Sequence, residues 1–444
     1  MSLQNCAFGY NRSRNVHHSH HHAWVITAVA VVSFTTTSQA TESSFPPSTP
    51  ASPLTLQDCY ALALKRSETI AIHTELIKET EGRFLQALGT ALPHVSFLSS
   101  DKRQDGSGSS AFTLRYTPQR QFTVNQTLFA GFKEFAALAG SRAERRERIE
   151  EKTRAEHLLF VDVANAFYLL LELREDLSAL ETTRVALIQR LEELKDRQRL
   201  GRSRASEVVS AEAQLRRTEA NIERARSAER IGEQLLNFLT GLDHLEAIND
   251  DAPSLPPLDP ETTYLMKLSI RPDLLAAEDA WHVAQKAVTI AQAQWWPTVT
   301  ANGNYYVDRS GVAKEVKWDA TLAVDVPLFQ GGQAAGAVKA AASQAREAKL
   351  RYEEKQRRVA LDIRDAYAKA DSAIVIRAAL ENALSAAEES YRLEVEDYRL
   401  NLVSNLEVLQ TLQSLQDAHR EFIHAKYDAK RLSWQLHVAT GDTR

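Results

Sequence analysis

Two stretches of about seventy residues, 132–200 and 333–400, contain no proline and only one glycine each. Ala, Glu, Arg, Lys and Leu dominate both, and these residues form helix readily. A continuous helix of that length reaches about 100 Å. Apolar positions step by three and four along each run, at Leu180, Leu187, Leu191 and Leu194, and at Val359, Ile363, Ala366, Ala370 and Ala373. That spacing is a coiled-coil seam, and its alanines permit close helix approach while contributing little apolar area. Each run breaks near Gly201 or Asn401 and is followed by a second helical run of about forty residues, with Val408, Leu412, Leu415 and Phe422 on one stripe of the latter. Such helices cannot bury their stripes inside a compact monomer and must pack lengthwise on others.

The two runs are copies of one plan. Leu128-Phe129 recurs as Leu328-Phe329, Gly131 as Gly331, Leu200 as Leu400, Glu207-Val208 as Glu407-Val408, and Thr240-Gly241 as Thr440-Gly441, all at an offset of 200. Upstream, Leu92–Ser96 matches Trp296–Thr300 at an offset of 204. One duplication with so long a period excludes a solenoid. The repeats occupy 54–241 and 262–444, joined by the segment 242–261, whose prolines and acids read as an extended linker.

Each repeat opens with a helix, Leu56–Ala91 and then Pro272–Trp295, closed by Pro93 and Pro297 because proline excludes its predecessor from helical geometry. Alternating segments follow. In the second repeat Val299, Ala301, Gly303, Tyr305 and Val307 oppose Thr298, Thr300, Asn302 and Asn304. Trp318, Leu322, Val324 and Val326 then oppose Asp319, Thr321 and Asp325. In the first repeat Phe112, Leu114 and Tyr116, then Phe122, Val124 and Leu128, alternate with polar residues. Period two is a strand with one apolar face. The polar, glycine-bearing stretches Asp101–Ser110 and Asp308–Glu315 read as hairpin loops. Four such strands in lipid would turn apolar side chains outward around a polar lumen, and the smallest membrane barrels need about eight strands, so several chains would share one barrel. Trp295, Trp296, Tyr305, Tyr306 and Trp318 are placed to form an aromatic girdle.

The remaining features narrow the function. Arg12 and Arg14, the apolar run Ala23–Phe34 and Ser38–Ala40 read as a signal peptide over 1–40, followed by an extended segment 41–53. The six-residue run His17–His22 falls inside the signal. A net charge of −5 gives no basic field for nucleic acid. There is no H-E-x-x-H, C-x-x-C or phosphate loop, so no enzyme, metal or cofactor is expected. Cys59, aligned with Leu56 and Ala63, reads as a small buried hydrophobe. The charge run Ser141–Glu156 reads as a solvated helix face laced with i,i+4 pairs.

The order of helix, proline-led hairpin, L-F-x-G and long helical hairpin, twice over, resembles the TolC-type outer-membrane efflux proteins. Leu54–Ile70 is similar to that family's first helix, and Asp325–Ala341 to its second-repeat junction. The resemblance implies a mainly α fold with a small β part. In it a homotrimer builds a twelve-stranded outer-membrane barrel, in contact with outer-membrane lipid, and a periplasmic α-barrel below. It also implies an exit duct served by a periplasmic adaptor protein and an inner-membrane transporter of RND, ABC or MFS type. A periplasmic coiled-coil adaptor is the alternative. Adaptor contacts would lie at the periplasmic tips, Leu200, Gly201, Arg202 and Ser203, and Leu400, Asn401, Leu402, Val403 and Ser404. Glu207, Glu407 and Gln410 are candidates for a tunnel constriction, although Glu207 and Glu407 also suit a helix N-terminus. Gly131, Pro327, Gly331 and Gly332 mark the strand-to-helix junctions.

Overall fold

A computed structural model describes residues 53–106, 113–245, 247–251 and 257–442. The expected signal peptide, its histidine run and residues 41–52 lie outside the described residues.

The first repeat comprises α1 (Leu56–Arg66), α2 (Glu68–Ala91), β1 (His94–Arg103), β2 (Tyr116–Ala130), α3 (Lys133–Arg199) and α4 (Ala205–Thr240). The second comprises α5 (Glu261–Met266), α6 (Pro272–Gln292), β3 (Thr298–Arg309), β4 (Trp318–Asp325), α7 (Gln333–Arg399) and α8 (Asn405–Ala439). A short 3₁₀ turn, Ala293–Trp295, extends α6. The long helices α3 and α7 have 67 residues each, as the proline-free runs required.

The expected single helix Leu56–Ala91 is two helices. Thr55 and Asp58 form a reciprocal capping box at the start of α1, and Ser67 caps α2 through its hydroxyl, which accepts from the Ile70 N–H at 3.4 Å. The chain bends at Ser67, so α1 leaves the line of α2 and packs on α3 and α4. The linker is also more than an extended tether. Leu54 N–H donates to Ala247 O at 3.0 Å, Asn249 N–H donates to Leu54 O at 2.9 Å, and Leu245 is buried.

The four strands form one antiparallel sheet in the order β1-β2-β3-β4. Its first hairpin differs from the sequence reading. The strands are His94–Arg103 and Tyr116–Ala130, so Asp101–Arg103 are strand and not loop, and Tyr116 belongs to the same strand as 122–128, while Phe112 and the loop residues 107–110 lie outside the described residues. Proline ends α2 and α6 as expected. Each strand then continues a helix: α2 runs into β1, β2 into α3, α6 into β3 and β4 into α7. The helices α2, α3, α6 and α7 pack side by side in the same order as their strands.

Among the described residues four apolar clusters hold the helices, the smallest being Leu180 of α3 with Ile222 and Ala225 of α4. Phe160, Phe167, Tyr168 and Leu170 of α3 are fully buried against α1, α4 and α8, together with Cys59 and Ala63. Burial pushes the Cys59 thiol up to about 12, which fits an inert small hydrophobe. Val359, Ile363 and Ala370 of α7 pack with Tyr264, Leu274 and Leu436. Leu187, Leu191 and Leu194 join Val208, Leu412 and Tyr398 far along the hairpins. On α8, Val408 and Leu412 are buried as the stripe implied, whereas Leu415 and Phe422 are half-buried and their neighbours Gln416 and Ile423 take the interior.

The charged run Ser141–Glu156 is only partly a solvated face. Its arginines and acids reach other helices: Arg145 bonds Glu81 and Glu144 bonds Arg83 on α2, and Arg146 bonds Asp279 on α6. Only Arg148–Glu151 and Lys152–Glu156 are local pairs.

Candidate conduit and periplasmic tips

The sheet has two chemically distinct faces, fixed by register. Phe97, Phe122, Tyr305 and Trp318 stand opposite one another across all four strands. The Phe97 and Phe122 ring centroids are 4.9 Å apart. Val95, Val124, Ala320, Leu322 and Val324 share this face, and its large side chains are exposed, Trp318 by 68% and Leu322 by 66%. At the helical end a second aromatic group gathers, Phe129, Phe132, Phe135 and Trp296, linked by edge-on and tilted contacts of 5.4 to 6.5 Å. Trp296 and Tyr305 are nine residues apart, about 30 Å along a strand. Tilted by about 40°, that span becomes roughly the 25 Å apolar band of a membrane barrel. Tyr306 does not belong to the girdle. It lies on the other face, where its hydroxyl donates to Asp319 at 2.7 Å.

That other face is an amide and hydroxyl network. Asn304 donates to Asn302 at 2.9 Å and to Asp319 at 2.8 Å. It accepts from Thr123 at 2.8 Å and from Gln121 at 3.2 Å. Asn302 donates to Asn125. A polar surface so fully paired within the sheet suits contact with water, while its opposite suits lipid. Among the described residues no helix is long and apolar enough to cross a membrane.

The junctions below the sheet repeat their backbone. Gly131 and Phe132 have φ of 61° and 63°, and Gly331 and Gly332 have 56° and 87°. These left-handed residues turn each strand into its helix, which glycine does without strain and Phe132 does not. Pro327 follows the last residue of β4 by two positions, beyond the ladder.

At the far end, α3 and α7 close in the same turn. Arg202 N–H donates to Arg197 O at 2.8 Å with Gly201 at φ 70°, and Leu402 N–H donates to Asp397 O at 2.9 Å with Asn401 at φ 60°. Leu200, Leu400 and Leu402 are exposed by 68–70% and project from these turns, and Gly201 and Arg202 are exposed between them. Val403 packs on the tip core. Ser404 and Glu407 form a capping box, with the Ser404 N–H donating to Glu407 Oε2 at 2.6 Å. That backbone hydrogen bond holds the Glu407 carboxyl below its ordinary range. Ser203 Oγ donates to Glu207 at 2.6 Å. Gln410 is exposed one turn further along α8.

Sequence reasoning missed the clamp that joins the two tips. The Arg190 guanidinium lies 3.6 Å from the Tyr398 ring centroid, and its Nε donates to Asn405 Oδ1 at 2.9 Å. Arg197 covers the same ring at 4.5 Å. An arginine three residues after Leu187, on a buried stripe, was the available signal. Arg271 was missed too. It is buried, bonds Asp273 through two nitrogens and Asp362 through Nη2 at 2.9 Å, and donates to Ala439 O at the end of α8.

Residues 266–442 match the sequence profile of the outer membrane efflux protein family. Over that segment, in the second repeat, the chain is similar to the outer membrane efflux proteins. The outer membrane efflux protein BepC of Brucella suis is 21% identical over 360 residues, 78% of this chain and 79% of that one. The outer membrane protein TolC of Vibrio cholerae is 25% identical over 295 residues, 64% of this chain and 67% of its own. In fold, the chain is similar to the outer membrane protein VceC of Vibrio cholerae, with a TM-score of 0.77 over 88% of this chain and 97% of that one at 21% identity. Both relatives are named as outer-membrane proteins, and BepC as an efflux protein. Among the described residues no group of His, Cys, Asp and Glu is arranged to hold a metal.

Proposed function

We propose that the protein is the exit duct of a tripartite efflux or type I secretion system. Three copies contribute four strands each to one closed barrel, and α2, α3, α6 and α7 of each copy continue the barrel wall into the periplasm. The observation that carries this reading is the shared lateral order of strands and helices beneath a sheet with one lipid-suited and one water-suited face. A four-stranded sheet with two open edges is not a closed barrel, and closure is what removes edges in a membrane. Cargo crosses passively, and an inner-membrane transporter of RND, ABC or MFS type selects it.

The tips take the adaptor. Leu200, Leu400 and Leu402 offer apolar knobs in a setting of exposed polar residues, Gly201, Arg202, Asn401 and Ser404, which suits helix-on-helix docking. Glu207, Glu407 and Gln410 border the narrow end, with Glu407 serving its helix cap at the same time.

Purification from outer membranes tests the reading. Expected are release only with detergent, a trimer by light scattering, and discrete conductance in a planar bilayer. Recovery as a periplasmic monomer without detergent would sink it, and would favour a coiled-coil adaptor.

A further inference from the structure

Phe135 of α3 is 71% exposed and closes the aromatic group at the helical end of the sheet. Arg142 follows it by seven residues, two turns along the same stripe of α3 and about 10 Å further from the sheet. At that level a groove of about 330 Å³ opens between α2 and α3, lined by Glu81, Phe84, Leu85, Ser141, Arg142 and Arg145. We propose that this groove is a site for one anionic phospholipid of the adjoining leaflet. The Arg142 guanidinium takes the headgroup phosphate, and an acyl chain lies along Phe84 and Leu85. The site rests on the outer-membrane reading above and goes beyond it, since that reading needs no particular lipid.

The charge of Arg142 is uncommitted. Its neighbours Arg83, Arg145, Arg146 and Arg148 each pair with a carboxylate, Glu144, Glu81, Asp279 and Glu151 in turn. Among the described residues Arg142 has no ion pair, and its guanidinium rests 5.7 Å from the centre of the Phe84 ring. The one acid in the lining, Glu81, accepts from Arg145 Nε at 3.1 Å and Nη2 at 3.0 Å. The lining therefore keeps one net positive charge. A guanidinium on a ring face still offers its N–H fork to a phosphate.

The geometry aims that charge at the bilayer. α3 starts at the strand junction, and helical side chains tilt toward their own N-terminus, so Arg142 leans back toward the aromatic group. Headgroups occupy roughly 5–8 Å beyond the hydrocarbon on each side, an interval that a long basic side chain covers. The apolar surface is continuous with the lipid-suited face. Leu85, exposed by 64%, lies two turns before Leu92, exposed by 52% at the start of the sheet.

The second repeat supplies the comparison. At the offsets of 204 and 200, Phe84, Leu85, Arg142 and Arg145 are replaced by Val288, Thr289, Ala342 and Ala345. The pair α6 and α7 packs as α2 and α3 do, without a ring or a cation at these positions. The fold does not demand Arg142 on Phe84, which leaves the pair free for a ligand.

Native mass spectrometry of the detergent-solubilised protein, titrated with phosphatidylglycerol or phosphatidylcholine, tests the site. The parent is expected to bind one phosphatidylglycerol per chain in preference to phosphatidylcholine, and millimolar inorganic phosphate is expected not to displace it. Arg142→Gln is expected to weaken phosphatidylglycerol binding by about tenfold or more and to leave phosphatidylcholine unchanged. Leu85→Glu, at an exposed position, sets a carboxylate beside Arg142 and is expected to remove the preference too, so the outcome does not depend on one variant. Arg216→Gln, an exposed arginine on α4, is expected to match the parent. Equal binding of the two lipids by the parent, undiminished phosphatidylglycerol binding in both variants, or displacement by phosphate overturns the lipid site and leaves the outer-membrane reading standing. Recovery of the protein from the periplasm without detergent overturns both.

Discussion

His157 on α3 is nine-tenths buried, and neither its Nδ1 nor that of His437 on α8 has a hydrogen-bond partner in the protein. Burial pushes both imidazoles below their ordinary value of 6.5. Arg154 lowers His157 further while Asp442 and Asp273 oppose it, and His437 lies between Asp442 and Lys267. An unfolded chain takes up these two protons near pH 6.5, whereas the folded chain takes them up only at lower pH. Their effect on stability is therefore nil well above 6.5 and grows as the pH falls through 6.5 toward the folded values, favouring unfolding. Asp273 behaves differently. Burial raises its pKa, but Arg271, Arg154 and Lys355 outweigh burial and lower it, so its contribution is complete above about 3.8 and is lost only below that. Glu147, raised by burial, acts in the opposite sense to the histidines. The expected result is that His157→Gln/His437→Gln is less sensitive than the parent to a change from pH 7.5 to 5.5. Thermal midpoints of the detergent-solubilised protein measure it, and an unchanged pH slope refutes the role given to these two rings.

Adjacent residues of β4 carry the test of the sheet's two faces. Leu322 lies on the apolar face and Thr321, paired with Asn302, on the polar one. Leu322→Lys is expected to destabilise the assembled protein by about 2–4 kcal/mol near the bilayer midplane, and Thr321→Lys by much less. Urea unfolding in lipid vesicles compares them, and equal effects would contradict a lipid-facing surface. This strand was legible in the sequence because Trp318, Leu322 and Val324 alternate without interruption. The long helices were legible for a similar reason, since α3 and α7 contain no proline and keep one periodicity. β1 was not legible. Ser99, Ser100 and Asp101 interrupt its pattern, and Pro118 inside β2 reads as a strand breaker although it sits where Asp101 is its partner. The break at Ser67 was hidden because α1 and α2 are each amphipathic and only the cap geometry separates them. The tip turns could be placed from Gly201 and Asn401. The Arg190–Tyr398 stack could not, because it joins residues 208 positions apart through tertiary packing.

At the scale of the whole molecule, burial is unevenly shared between two helices of equal length. α3 is buried at intervals from Ala136 to Leu194. α7 has no buried residue between Ala373 and Tyr398, and Val375 and Ile376 are exposed there. A helix of about 24 residues with no fully buried residue, held only by half-buried positions such as Tyr391 and Val395, is weakly supported in water, since most helical stability comes from packing an apolar face. In the proposed trimer further protection of this stretch would come from neighbouring copies, whereas the centre of α3 around Phe160–Leu170 is held by its own chain. The salt bridges between α3 and α8, Asp176–Arg420, Glu175–Lys426 and Glu172–Arg431, reinforce that intrachain core. Hydrogen exchange across a low-urea series that dissociates the assembly is expected to separate the two. Amides of 374–397 should lose protection at the urea concentration where the trimer disappears from native gels, and those of 160–170 only at global unfolding. Simultaneous loss in both segments would mean that α7 is stabilised within its own chain, and that the exposed stripe on it is not an assembly surface.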